Sequence, residues 1–557
     1  MVQVDRRNAL AAMGLAGLAG TAAAPAAAAM TKAGGTGPFT GDWASLTSGY
    51  RAPEWFRDAK FGLWAHWSAQ CVPEEGDWYA REMYIQGSRI NKAHVAKYGH
   101  PSKTGFLDII GQWKGENWNP ERLADLYVKA GAKYFVALAN HHDNVDTYAS
   151  SHHPWNTTRI GPKKDIVGIW AKVARDRGLR FGVSNHSAHA WHWYQTAYGY
   201  DPEGPMRNVR YDAHRLRTAD GRGTWWEGLD PQTLYTGSLM PLPDGIQSIA
   251  EANAVHERTD RVWSEWAPAA RAAFVANWAA RTNELIDKYR PDLLYFDNFD
   301  LPFAQVGLDV AARYYNESIR LNGGNLEAVL NVKMVPVEKR MGLVEDVERG
   351  GKSYIDTYPW QTDTCIGNWH YDRNLYKRDG YKSAATVVHT LCDVVSKNGN
   401  LLLSIPMRGD GTIDEKEERI VEEIAAWMQQ YGSAIYGSRP WRLHGEGPTK
   451  PASGMFAEGG PKSLFTAQDI RYVRKGSAVQ ALVLGWPEDG IARLRLLGTG
   501  TPVGRGDVQR VTLAGDNAPL TFRRTEEALE VTLPAARRNA VGVALTVNGP
   551  GLTDGSL

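Results

Sequence analysis

The chain has 557 residues, enough for two or three domains with ample core. Hydrophobic residues make up 43% and charged residues 22%, and the net charge is +1, so no global field draws the chain to nucleic acid or an anionic membrane. Cys71, Cys365 and Cys392 are odd in number and match no zinc spacing, which argues against a disulfide scaffold and a structural zinc site. There are 21 Trp beside 24 Tyr; aromatic faces stack on the apolar faces of sugar rings, and they equally fill cores.

In chain order, Arg6-Arg7, an apolar Ala/Leu/Gly run from Ala9 to Ala24 and the small-residue site Ala27-x-Ala29 predict an export signal over 1–29. Its paired arginines fit the twin-arginine type, which passes folded cargo, so a periplasmic or secreted product is expected. No later stretch reaches about 18 unbroken apolar residues, and no spanning helix is expected. Residues 30–44 read as a linker.

From 45 to 438 short apolar runs alternate with longer helical patterns. The runs are Lys60–Ala65, Tyr134–Leu138, Arg180–Ser184, Leu293–Phe296, Ala328–Val332 and Asn400–Ser404. This alternation predicts an α/β fold, a parallel sheet covered by helices. Polar residues follow the runs closely: His66, then His141-His142-Asp143, then His186, then Asp297. In a (β/α)8-like barrel the active site lies at the C-terminal strand ends, and four runs ending in His or Asp fit that geometry. The long, polar, Trp-containing stretch at about 194–253 reads as an insertion over the barrel mouth. From 439 to 557, β-like runs such as Ala478–Leu484 and Ala492–Leu496 are separated by Gly, Pro and Asp, and predict a C-terminal antiparallel β-sandwich.

The motifs carry a resemblance. The segment Trp55–Trp67, Gly76-Asp77-Trp78-Tyr79, Ala130–Tyr134 with His141-His142-Asp143, and Pro291–Asp297 resemble successive motifs of glycoside hydrolase family 29, the α-L-fucosidases. Ser396–Leu403 and Gly409–Ile413 are similar to its late motifs. The resemblance runs from about 45 to 440 and implies a retaining exo-glycosidase that uses two carboxylates about 5–5.5 Å apart. Asp297 matches the family nucleophile; read from the residues alone, it is the first charge after a buried apolar strand. For the acid/base, the segment Val344–Gly350 stands where many members carry it. Glu348 is the first candidate, with Glu345 and Asp346 as alternatives, and Arg349 beside it would lower rather than raise a carboxyl pKa.

His66, His141 and His142 carry over as ligands of sugar hydroxyls, with Asp77, Trp78, Tyr79, His186 and Tyr295 completing the expected binding set. Neutral His donates and accepts, which suits hydroxyls. Adjacent residues on an extended segment point opposite ways, so His141 and His142 are not expected to share a metal, and no metal or cofactor is expected. Asp77, Tyr295 and the Trp360–Cys365 segment depart from the family pattern, which leaves α-L-fucose and α-L-galactose both open. The expected partner is a fucosylated or L-galactosylated glycan. The competing readings are an α-L-galactosidase or transglycosylase on the same fold, a non-catalytic carbohydrate-binding relative, and a metal-dependent hydrolase.

Overall fold

The structure, a computed structural model, describes residues 37–260, 267–460 and 462–556. The expected export signal and the first part of the linker lie outside the described residues. The rest of that stretch is not a free linker. The backbone N–H of Phe39 donates to Asn316 Oδ1 at 3.0 Å, Asn316 Nδ2 donates back to its carbonyl at 2.8 Å, and the Phe39 ring packs edge-on against Tyr315.

Eight parallel strands close into a barrel in chain order. They are β1 (Phe61–Ala65), β2 (Tyr134–Asn140), β3 (Arg180–Asn185), β4 (Leu293–Phe296), β5 (Val329–Lys333), β6 (Val344–Asp346), β7 (Trp360–Cys365) and β8 (Gly399–Ser404). β1 pairs with both β2 and β8, which seals the cylinder. Helices cover most strands on the outside, among them Pro120–Lys129, Ile166–Asp176, Ala272–Tyr289, Gln305–Leu321, Ala384–Ser396 and Glu415–Tyr431. Strands buried on both faces read as continuous apolar runs, which is why β1 to β5 and β8 stand out in the sequence.

β6 and β7 do not stand out. Their inward side chains are polar, and the interior beneath the mouth is hydrogen-bonded rather than packed with branched aliphatics. Gly62 leaves room for the Tyr134 ring, which a Cβ there would overlap at 2.3 Å. Tyr134 donates to Gln361 Oε1 at 3.0 Å, and Gln361 Nε2 donates to Asp346 Oδ2 at 2.7 Å. Across from it the Tyr295 hydroxyl donates to Asp363 Oδ2 at 2.8 Å. Oδ1 of Asp346 and Oδ1 of Asp363 meet no donor among the described residues, a need that one proton shared between the two carboxyls meets. Burial pushes Asp363 up to about 7 and, with Asp363 beside it, Asp346 well above the carboxylate range.

The insertion begins earlier than expected, directly after His186. Its short helices Ser187–His189 and Ala190–Trp193 fold back over the barrel mouth before the chain runs out to Ile249–Asp260. The C-terminal domain holds a five-stranded sheet, β9 (Arg439–Glu446), β10 (Ile470–Lys475), β11 (Ala478–Val483), β13 (Arg510–Leu513) and β16 (Val543–Asn548), and a three-stranded sheet, β12 (Ile491–Leu494), β14 (Phe522–Arg524) and β15 (Leu529–Thr532). Buried polar contacts tie it to the barrel. Arg471 Nε meets Asp393 Oδ1 at 2.6 Å, and Trp427 Nε1 donates to the Gly542 carbonyl at 3.0 Å. Cys71, Cys365 and Cys392 are buried free thiols.

Candidate active site

Asp297 is the first residue past β4 and its carboxylate opens into the barrel mouth, 16% exposed. His186 Nδ1 lies 3.1 Å from Oδ2 and His142 Nε2 3.2 Å from the same oxygen. Oδ1 pairs with the ammonium of Lys333, the last residue of β5. Burial pushes this carboxyl upward, but Lys333 and the two histidines outweigh it and hold Asp297 well below the ordinary carboxylate range. It is therefore an anion, as a nucleophile must be.

The same Lys333 ammonium pairs with Glu348 Oε2, and Trp369 Nε1 donates to Glu348 Oε1 at 3.2 Å. Two carboxylates on one ammonium have their nearer oxygens no more than about 5.5 Å apart at ordinary charge-assisted contact lengths. Desolvation alone would lower the Lys333 pKa, but Asp297 and Glu348 raise it far above the free value. Arg349, expected to act on Glu348, turns away: its guanidinium contacts Cys365 Sγ at 2.6 Å and the Gly367 carbonyl at 2.9 Å, and sits 5.3 Å above the Trp369 ring.

The alternatives for the acid/base lie elsewhere. Glu345, whose neighbours along β6 alternate with it, is turned outward into an ion cluster, 2.9 Å from Arg340 and 2.5 Å from Lys352. Asp346 is sealed beneath the mouth against Asp363 and Gln361.

His66, His141, His142 and His186 form one ring cluster. His141 lies 4.4 Å from His142 and 5.0 Å from His186 between centroids, and His66 lies 5.6 Å from His186. His66 Nδ1 meets Ser404 Oγ at 3.0 Å, His141 Nδ1 meets Gln70 Nε2 at 3.1 Å, and His142 Nδ1 donates to the His186 carbonyl at 2.8 Å. Burial, then neighbouring histidines, hold His66 and His141 well below the free value; burial takes His186 down to about 4. His142 has both nitrogens engaged, on the His186 carbonyl and on Asp297, whereas His66, His141 and His186, neutral and each held by one nitrogen, leave the other for a hydroxyl. His186 Nε2 is such an atom, buried and without a partner among the described residues.

Trp78 stands at the rim, its ring 6.3 Å from His142 and 6.2 Å from Trp193. It is held at φ 63, a left-handed conformation unusual for a bulky residue. Asp77, also at the rim, accepts the backbone N–H of His370 at 2.8 Å. Two expected ligands are misplaced. Tyr79 is fully buried and donates at 2.5 Å to Nδ1 of His94, whose other nitrogen donates to the Thr104 carbonyl. Tyr295 lies beneath the mouth on Asp363, because strand alternation points it into the layer below Asp297.

The profile of the α-L-fucosidase family matches residues 26–433, and that of the α-L-fucosidase C-terminal domain matches residues 465–547. The chain belongs to the α-L-fucosidase family. Tissue α-L-fucosidase of Rattus norvegicus is 27% identical over 488 residues, 84% of either chain. That of Homo sapiens is 24% identical over 518 residues, 90% of this chain and 89% of its own. Thermotoga maritima α-fucosidase, solved with a mechanism-based inhibitor, superposes with a TM-score of 0.65 at 24% identity, covering 91% of this chain and 99% of that one. α-L-Fucosidase isoenzyme 1 from Paenibacillus thiaminolyticus gives 0.58 at 19% identity, covering 89% and 98%. At these identities the two structures speak to the fold.

In this α-L-fucosidase family member, sequence reasoning missed Lys333, His189, Trp369 and His370. Lys333 ends an apolar run as Asp297 does, so the strand-end rule would have found it. His189 Nε2 lies 3.2 Å from the Asp297 carbonyl, and the His370 ring lies 4.8 Å from His141. No spacing in the sequence signals either of these. Alternation does not separate His141 from His142 either. Both lie past the end of β2, in a turn, so strand alternation does not apply and both rings face the mouth. Ring nitrogens of His141, His142 and His186 lie within 4.8 Å of one another, so the three could seat an ion. The donor set fits a cation poorly, because His142 Nε2 and His186 Nδ1 are both turned to Asp297 Oδ2 and His141 Nδ1 is turned to Gln70.

Proposed function

We propose that the protein is a retaining exo-glycosidase that releases terminal α-L-fucosyl residues from glycans. The observation that carries this reading is the bridge Asp297–Lys333–Glu348, which brings two carboxyl groups onto one ammonium, a closeness that supports a double displacement over the wider, water-spaced pair of an inverting mechanism. Asp297 attacks the anomeric carbon while Glu348, which must carry a proton in the substrate complex, gives it to the departing glycosidic oxygen, and this leaves a glycosyl-enzyme ester. Glu348, now ionised, takes a proton from water; the water attacks the anomeric carbon and frees Asp297. Lys333 stays charged throughout and keeps the two groups in register. The His66, His141, His142 and His186 cluster supports recognition of ring hydroxyls. The insertion, closing over the mouth through His189 and Trp193, supports a site for a chain end rather than a chain interior. The leader pattern in the sequence supports an activity outside the cytoplasm.

The test is hydrolysis of aryl α-L-fucoside against aryl α-L-galactoside, with the first-formed anomer followed by proton NMR. Fucoside cleavage releasing α-L-fucose first is expected. Release of the β anomer first would exclude the double displacement, and preference for the galactoside would exclude the sugar.

A further inference from the structure

The β6–β7 connection, residues 347–359, holds no helix where a β/α barrel ordinarily places one. The chain that lies against it comes from the other domain: the loop between β9 and β10. This loop runs beside Glu348–Gly351 as a short ladder. Phe456 N–H donates to the Glu348 carbonyl at 2.8 Å and Glu458 N–H to the Arg349 carbonyl at 2.8 Å. Gly454 N–H donates to the Gly351 carbonyl at 2.7 Å, and Gly351 N–H returns at 3.4 Å. The approach is close enough to demand glycine at 350, where a Cβ would stand 1.8 Å from the Gly454 carbonyl oxygen. Arg349 at φ 45 and Phe456 at φ 57 are both left-handed non-glycine residues, a conformation that persists only where surroundings impose it.

Side chains make a second connection, this one leading to the Glu348 carboxylate. Glu458 accepts from Thr364 Oγ1 at 2.6 Å and from Lys382 Nζ at 3.1 Å, and lies 3.6 Å from Arg349 Nε. Arg349 in turn covers the face of Trp369, whose indole N–H holds Glu348 Oε1. The backbone of Glu348 is thus held directly from the C-terminal domain, and its carboxylate, held by Lys333 and Trp369 of the barrel, is reached from that domain through Arg349 and Trp369.

We propose that Gly454–Glu458 is a positioning element for Glu348, so that the active site is completed across the two domains, with Glu458 as the positioning residue. The proposal rests on Glu348 being the acid/base. An acid held out of line costs most where the leaving group needs a proton, and least where it leaves unaided. The experiment compares kcat/KM on methyl α-L-fucoside and nitrophenyl α-L-fucoside in the wild type, Glu458→Ala, Glu458→Gln and Glu348→Ala. Glu458→Ala is expected to lower the methyl-to-nitrophenyl ratio about ten-fold. Glu458→Gln, which keeps the Thr364 contact, is expected to fall between it and the wild type. If Glu458→Ala fails to fold, the same shift in Glu458→Gln carries the test. Equal loss on both substrates, or no loss, overturns the proposal, provided Glu348→Ala shows the steep leaving-group dependence. A flat response in Glu348→Ala instead overturns the acid/base reading itself.

Discussion

The ends of β4 and β6 deliver one carboxylate each to the same ammonium, by different means. Asp297 follows a four-residue strand paired on both sides and backed by the eighteen-residue helix Ala272–Tyr289, with Trp278 packed against Phe296. Its position is a consequence of the barrel. Glu348 stands two residues past a three-residue strand that is followed by no helix before β7, on a segment held by a loop from more than 100 residues downstream. A nucleophile placed by the scaffold and an acid/base placed by an accessory domain tolerate change differently. The first can be lost only with its strand, whereas the second is open to adjustment through its support.

The largest expected effect breaks the comparison at its chemical root. Asp297→Gly cannot form the ester and should lose about 10⁴-fold or more in kcat. Azide then attacks from the vacated face and gives a product of inverted configuration. Glu348→Ala should lose about 10²–10⁴-fold on poor leaving groups and far less on nitrophenyl substrate. Azide there attacks the ester and gives a retained product. NMR of the two glycosyl azides reads both outcomes. The same configuration from both variants would mean that the roles are not divided as the geometry divides them.

Removing the shared cation should cost less in rate but more in pH behaviour. Lys333→Met keeps the stem and deletes the charge that serves both carboxylates, and a loss of about 10²–10³-fold in kcat/KM is expected. Burial raises Asp297, and without Lys333 its strongest opposition is gone, leaving His142 and His186 against it. Its carboxyl then moves up toward the ordinary range, so the acid limb of the kcat/KM profile shifts to higher pH. A depressed carboxyl stabilises the fold above its unfolded value near 3.8, a contribution lost as pH falls through the folded value. Part of that contribution disappears in the variant, so its Tm deficit should be widest above about pH 4 and narrow in stronger acid. An unmoved acid limb would mean that Lys333 does not set the charge on Asp297.

The asymmetry between the two strand ends also explains what the sequence disclosed. Apolar runs ending in His66, His186 and Asp297 announce their strands because double burial demands continuous hydrophobicity. β6 and β7 were hidden because Asp346, Gln361 and Asp363 point inward and are satisfied by Tyr295, Tyr134 and one another, a solution visible only once the barrel closes. Glu348 was distinguishable from Glu345 only by alternation along β6, and that requires knowing that residues 344–346 are a strand. Trp369, His370 and the Gly454–Glu458 loop reach the site across tens to hundreds of residues, and no local pattern encodes such contacts. The family motifs named the right neighbourhood but overreached at Tyr79 and Tyr295, which resemble binding residues in sequence and act as supports in space.

The smallest effect tests that last distinction. Tyr79 adjoins Trp78 at the rim, yet the left-handed turn at Trp78 sends the two side chains apart: Trp78 faces His142, and Tyr79 enters the helix Arg89–Tyr98 to meet His94. Tyr79→Phe removes one buried hydroxyl and leaves His94 Nδ1 without its donor. The expected cost is about 1–3 kcal/mol of stability, the penalty of a buried acceptor left unmade. Because the hydroxyl points away from the mouth, kcat and KM on fucoside should stay within two- to three-fold of wild type, scaled from the same unchanged site. Trp78→Phe is the companion measurement: it shortens the rim wall beside His142 and should raise KM while leaving stability nearly intact. If Tyr79→Phe raised KM as strongly as Trp78→Phe, the hydroxyl would have to reach the sugar, and the separation of rim from support drawn at this turn would be wrong.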